Sequence, residues 1–186
     1  MKDKNGTGLI VYSSRTGNTR KLAEGIHRAL GNAGFPARIA AVEEKPEING
    51  VPWLLLGFWA DRGHADERAL DFIRSLEGCR VGLFGTLGAY PNSEHARDLA
   101  QKTGALVIEK NICMGSFLCQ GKVDPALVER FKSLPPDNPH AMTEERRKRH
   151  EEAAKHPNDD DIAAAAEAFL GMLRAAGFEP VPGTGV

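Results

Sequence analysis

The chain lacks the residue patterns of a metal centre, a membrane span or a nucleic-acid surface. Its three cysteines, Cys79, Cys113 and Cys119, are an odd number without C-x-x-C spacing, and its six histidines form no H-E-x-x-H. Neither a disulfide framework nor a metal site is therefore expected. No apolar run reaches the length of a bilayer span and no secretory leader opens the chain. That pattern predicts a cytoplasmic protein with reduced thiols and no membrane partner. Twenty-four Lys and Arg against 25 Asp and Glu leave a formal charge of −1, with no basic stripe interleaved with aromatics. Nucleic acid is thereby excluded as a partner. Two common phosphate loops are also missing. Without G-x-x-x-x-G-K-S/T there is no lysine for a γ-phosphate, and without G-x-G-x-x-G no glycines let the backbone approach a pyrophosphate.

What is present starts near the N-terminus. Gly8-Leu9-Ile10-Val11-Tyr12 is a short apolar, β-branched run of the kind buried on both faces of a parallel sheet. Downstream, Leu22, Ile26, Ala29 and Leu30 recur at helical spacing. Between the two lie Ser13-Ser14-Arg15-Thr16-Gly17-Asn18-Thr19, a run of small hydroxyl side chains at a helix start. First-turn N–H groups have no intrahelical partner and the macrodipole adds partial positive charge, so this loop suits a single terminal phosphate. Capping alone would also explain Ser, Thr and Asn at these positions.

The rest of the chain alternates strand and helix patterns. Ala37–Val42 reads as a weaker, edge strand, and Glu43–Gly50 as a connection. Trp53–Gly57 is a strand ending in a loop, 65–77 an amphipathic crossover helix, and Cys79–Gly85 a strand. Ser93–Thr103 reads as a helix and Ala105-Leu106-Val107-Ile108 as the fifth strand. Ile162, Ala165, Ala166, Phe169, Leu170 and Leu173 share one face of a last helix, for which Asp159-Asp160-Asp161 should provide the cap and negative charge at its start. The tail Glu179–Val186 should fray. Such alternation predicts an α/β doubly wound parallel sheet in a single domain over residues 1–186. Residues 111–158 exceed a minimal five-stranded pattern and read as an insertion within it. In the insertion, Pro125–Phe131 is a short helix, Pro135–Pro139 a stiff loop, and 143–155 a helix polar on every side, capped by Thr143 and read as a solvated surface element in preference to a partner-binding one.

Ligands of parallel sheets bind outside the carboxyl ends of the strands. Three loops meet there: the phosphate loop, Phe58–Gly63 after the third strand, and Thr86–Asn92 after the fourth. Each later loop brings an aromatic residue, Trp59 or Tyr90, suited to stacking on a planar ring, in a chain with only two Trp and two Tyr. Phe58 fits core or ligand equally.

The loop resembles that of the flavodoxin family, whose FMN phosphate loop reads Ser/Thr-x-Thr-Gly-x-Thr; Ser14, Thr16, Gly17 and Thr19 fall on its fixed positions. The resemblance implies a flavodoxin-like sheet of strand order 2-1-3-4-5 with helices on both faces. It also implies FMN as cofactor, with the phosphate at Ser14, Arg15, Thr16, Gly17, Asn18 and Thr19. The isoalloxazine would then lie between Phe58, Trp59, Ala60 and Thr86, Leu87, Gly88, Ala89, Tyr90. It implies redox partner proteins, a reductase and an acceptor enzyme, for a monomer or homodimer, although near-neutral charge argues against the acidic docking of many flavodoxins. Gly115-x-Phe117-x-Cys119-Gln120-Gly121 is similar to a stretch in flavodoxin-like proteins of anaerobes, some of which accompany tetrapyrrole reductases. Cys119 reads as a small buried residue in preference to a redox thiol, and His95 as a surface histidine. Three functions follow: an electron carrier between reductase and partner, an FMN-dependent oxidoreductase acting directly on a quinone or tetrapyrrole-type substrate, and, least favoured, a flavin-free module. No catalytic side chain is assigned.

Overall fold

A computed structural model describes residues 6–181. In chain order the elements are β1 (Gly8–Tyr12), α1 (Asn18–Asn32), β2 (Ala37–Ala41), a single 3-10 turn (Val42–Glu44), β3 (Leu54–Asp61) and β4 (His64–Ala65). There follow α2 (Glu67–Ser75), β5 (Arg80–Leu87), α3 (Glu94–Ile108), β6 (Ile112–Gln120), α4 (Pro125–Lys132), α5 (Glu144–Ala153) and α6 (Asp159–Ala175). Five strands are parallel in the order β2-β1-β3-β5-β6. The sixth, β4, is a two-residue strand folded back antiparallel on the tip of β3. With it set aside, the order is the expected 2-1-3-4-5.

Continuous apolar runs form the central strands because successive side chains enter opposite cores. Leu9 and Val11 join Leu54, Leu56, Phe58, Val81 and Leu83 on the face covered by α2 and α3. Ile10, Leu55 and Phe84 point the other way, among Leu22, Ile26, Phe169 and Leu173 of α1 and α6. Phe169 meets Phe84 edge to face, with ring centroids 6.1 Å apart. Two apolar layers thus clamp the sheet and leave its carboxyl edge free for a ligand.

Several elements depart from expectation. Residues 105–108 are the last turns of α3, whose buried face continues through Ala96, Leu99, Thr103 and Val107. The fifth parallel strand is instead Ile112–Gln120, inside the segment read as insertion, so the added part begins after Gln120 and runs to Asn158. A bulge at Met114 and Gly115 (φ 140°) shifts its register against Val81 and Gly82. β3 and β5 reach further than predicted: Phe58–Asp61 and Thr86–Leu87 are strand, and the second loop shrinks to a tight turn at Arg62 and Gly63. α6 is capped by Asn158, with Asp161 returning the bond in a capping box. Val181 at the tail donates its N–H to Gly34 O at 2.8 Å. Residues 182–186, also expected to fray, lie outside the described residues. No helix among the described residues is long and apolar enough to cross a membrane.

Candidate functional site

In five of the six helices among the described residues the N-cap side chain accepts a first-turn N–H: Asp66, Ser93, Asp124, Thr143 and Asn158. α1 is the exception. Its N-cap is Gly17, in a left-handed conformation (φ 94°) that only glycine adopts without strain, and this N-cap residue has no side chain to accept a first-turn N–H. Ser14 Oγ accepts a long bond from Arg20 N at 3.3 Å. The N–H groups of Thr16, Gly17, Asn18 and Thr19 donate to no acceptor among the described residues. A helix start with N–H groups left open in this way is chemically suited to an anion.

The loop is held from below and from the side. Ser13 N–H donates to Gly57 O at 2.9 Å, and Ser13 Oγ donates to Asp66 Oδ1 at 2.6 Å. Asp66, 2% exposed, also accepts from Trp59 N at 3.2 Å and Ala69 N at 3.3 Å. One buried carboxylate therefore joins the phosphate loop, the Trp59 backbone and the cap of α2. Burial raises its pKa above the ordinary aspartate value, against the opposing pull of those three donors. Thr19, 1% exposed, turns inward: its hydroxyl shares a 2.9 Å hydrogen bond with Thr86, tying α1 to β5. Asn18 Nδ2 donates to Thr16 Oγ1 at 3.2 Å and to Lys122 O at 2.8 Å. Gly121 permits this approach, since a Cβ there would stand 2.9 Å from Asn18 Nδ2.

A cavity of about 600 Å³ opens over the strand ends, within the roughly 300–1,000 Å³ of ordinary ligand sites. It gathers Arg15, Thr16 and Asn18 with Trp59 and Ala60, and with Thr86, Leu87, Gly88, Ala89 and Tyr90. Four of the expected residues lie off its lining: Ser14 and Gly17 at the loop, Thr19 as an interior tie, and Phe58, fully buried in the core. Trp59 is half-buried and Tyr90 is 43% exposed, so both keep ring surface available. Arg15 stands 5.7 Å over the Trp59 ring and 3.1 Å from Asp124 Oδ2. His95 is exposed at the rim.

The segment added after β6 roofs this cavity. It is anchored beside the loop at both ends, by the Asn18 bond to Lys122 O and by Lys21 Nζ donating to Pro157 O at 2.6 Å. Leu127, Phe131, His140, Arg146, Arg149 and His150 line the cavity from this segment, together with residues 122–124. Phe131 stacks on His140 at 6.4 Å and lies tilted to His150 at 6.2 Å. Arg146 donates to Ala141 O at 2.8 Å and to Pro139 O, bracing the turn that presents His140. Burial and the neighbouring Arg149 and Arg146 lower the His150 pKa, which keeps its ring neutral near pH 7. α5, read as a solvated surface helix, thus turns one face to the site. Arg146, Arg149 and His150 stand at i, i+3 and i+4, a spacing present in the sequence but without an apolar residue to mark it. Cys119 is 2% exposed, and burial, with the charge of Asp161, pushes its thiol far up, so it supplies no thiolate.

The parts fit a flavin mononucleotide: free amides for a phosphomonoester, two aromatic faces for a tricyclic ring, and a cavity of suitable size between them. A flavodoxin domain family model matches residues 9–170. A flavodoxin-like domain-containing protein BilS of Clostridioides difficile (strain CD3) is 29% identical over 136 residues, which cover 71% of this chain and 77% of that protein. Its namesake from Clostridium symbiosum (strain WAL-14163) is 32% identical over 144 residues, 70% of this chain and 76% of the other. Among solved structures, a flavodoxin from the domain Archaea superposes with a TM-score of 0.61 at 12% identity, covering 92% of this chain and 99% of its own. The two-electron reduced Megasphaera elsdenii flavodoxin gives 0.51 at 22% identity, with 80% and 99% covered.

Proposed function

Because the chain belongs to the flavodoxin domain family, an electron-transfer family whose cofactor is FMN, we propose that it carries low-potential electrons from a reductase to a partner enzyme. The observation that carries this reading is the start of α1, where the N–H groups of residues 16–19 have no acceptor among the described residues, beside a cavity lined by Thr16 and Asn18 together with Trp59 and Tyr90. Bound there, FMN supplies the electron-accepting ring chemistry. The chain's own residues do the rest. The amides of Thr16 to Thr19 and the Thr16 hydroxyl hold the phosphate. Trp59 and Tyr90 confine the ring, and the backbone of Gly57–Ala60 and Thr86–Ala89 offers donors and acceptors to its polar edge.

A second reading, an FMN-dependent oxidoreductase acting directly on a quinone or tetrapyrrole-type molecule, is favoured by the roof from α4 to α5. A pure carrier gains little from a covered cavity, whereas a small-molecule site needs walls. The two are separated by an anaerobic coupled assay. NADPH, a flavodoxin reductase and this protein should together reduce cytochrome c, with negligible rate when any component is left out. Reduction of a soluble quinone by NADPH without the reductase would favour the oxidoreductase instead.

A further inference from the structure

We propose that the roof of the cavity is a binding site for a planar small molecule bearing a carboxylate, held by Arg149 above the flavin position. The proposal rests on FMN occupying the cavity beneath. Arg149 is set apart from its neighbours on α5. Arg147 is tied to Glu144 and Glu151, Lys148 to Glu144, and Arg146 to the carbonyls of residues 139 and 141. Arg149 makes no ion pair or hydrogen bond among the described residues, and its Nε is enclosed without an acceptor, as is Nδ1 of His150. An enclosed guanidinium nitrogen without a partner is costly, and an incoming anion repays that cost.

The charge of the cavity points the same way. Its lining carries the cations Arg15, Lys122, Arg146 and Arg149 against one carboxylate, Asp124, and Arg15 already pairs with that one. The FMN phosphate has its own donors in the amides at the start of α1. Arg149 instead belongs to the roof, one helical turn from Arg146, which braces His140. His140 also lines a second cavity with Gly63, Gly88 and Ala89, at the ends of β3 and β5 where the ring would lie, and with His95 at the start of α3. Beside Arg149, Phe131 and His150 add flat surface. A guanidinium fork next to aromatic faces recognises a planar carboxylate.

The test uses the FMN-loaded protein, titrated with 2-naphthoate and with its neutral isostere 2-naphthamide, and reads the visible flavin bands and fluorescence. The naphthoate should perturb the flavin saturably and the amide should not. Arg149→Gln should weaken naphthoate by about tenfold or more, Arg149→Lys should restore part of that loss, and Arg130→Gln, on the exposed side of α4, should leave it unchanged. FMN and riboflavin affinities of Arg149→Gln are measured alongside and should stay near those of the parent. No perturbation, equal effects of acid and amide, or equal naphthoate affinity in parent and Arg149→Gln overturns the proposal. So does a loss of FMN without loss of riboflavin in that variant, which assigns the guanidinium to the flavin phosphate. Failure of the parent to bind FMN at all would refute the reading beneath it instead, so the two failures are distinct.

Discussion

Asp66 concentrates several structural duties in one side chain. It caps α2, accepts from Ser13 Oγ and fixes the Trp59 backbone, all while 2% exposed. Burial raises its folded pKa above the unfolded value of about 3.9. The folded state therefore binds the proton more tightly than the unfolded one. Stability from this group is fully present below that unfolded value and is lost as pH rises through the folded pKa. Thermal midpoints of the parent, measured from acidic to neutral pH, should fall relative to Asp66→Asn across that window, since the amide does not titrate. Parallel curves for the two proteins would mean that Asp66 titrates normally. Gly121 is a second sensitive residue: Gly121→Ala pushes a methyl against Asn18 and disturbs the loop rather than the core. Overpacking of about 1 kcal/mol converts to a roughly fivefold loss of FMN affinity, measured by fluorescence titration with little change in the urea midpoint.

Between elements, the central sheet owes its stability to two cores that share no side chains. Phe169 fills the α6 side against Phe84 and is fully buried. Phe169→Ala should cost about 3–5 kcal/mol by urea denaturation, with an unchanged denaturant slope if unfolding stays two-state. The same packing explains what the sequence made legible. β1, β3, β5, α1 and α6 announce themselves because burial on one or two faces imposes a period. Ala105–Ile108 misleads because a β-branched run can close a helix whose buried face, Ala96 to Val107, began three turns earlier. β6 hides for the opposite reason. It is an edge strand, mostly half-exposed, interrupted by a bulge at Gly115, and so carries no apolar run. In the site, the loop and both aromatic residues were readable from local chemistry, whereas the roof was not. α5 has no apolar stripe, so nothing in its sequence says which face turns inward.

At the scale of the molecule, a neutral chain with a capped cofactor cavity differs from an open acidic carrier. Recognition of a partner by long-range charge is weak at a net charge of −1, so on the proposed reading short-range contacts would have to select what approaches the flavin. Ligand binding to the folded state alone also sets a thermodynamic expectation. FMN at a hundred times its dissociation constant should add about 2.7 kcal/mol of stability, visible as a rise in the thermal midpoint that riboflavin at equal concentration does not match. An equal rise with riboflavin would place the binding energy in the ring contacts.

The central claim, that the start of α1 is a phosphate site for FMN, is tested most directly by titrating apo-protein and Thr16→Ala with FMN and riboflavin. Thr16 Oγ1 accepts from Asn18 and keeps its own proton for a ligand, so its removal should weaken FMN by about tenfold and leave riboflavin within about twofold. Equal losses for the two flavins, or none for either, would contradict the assignment.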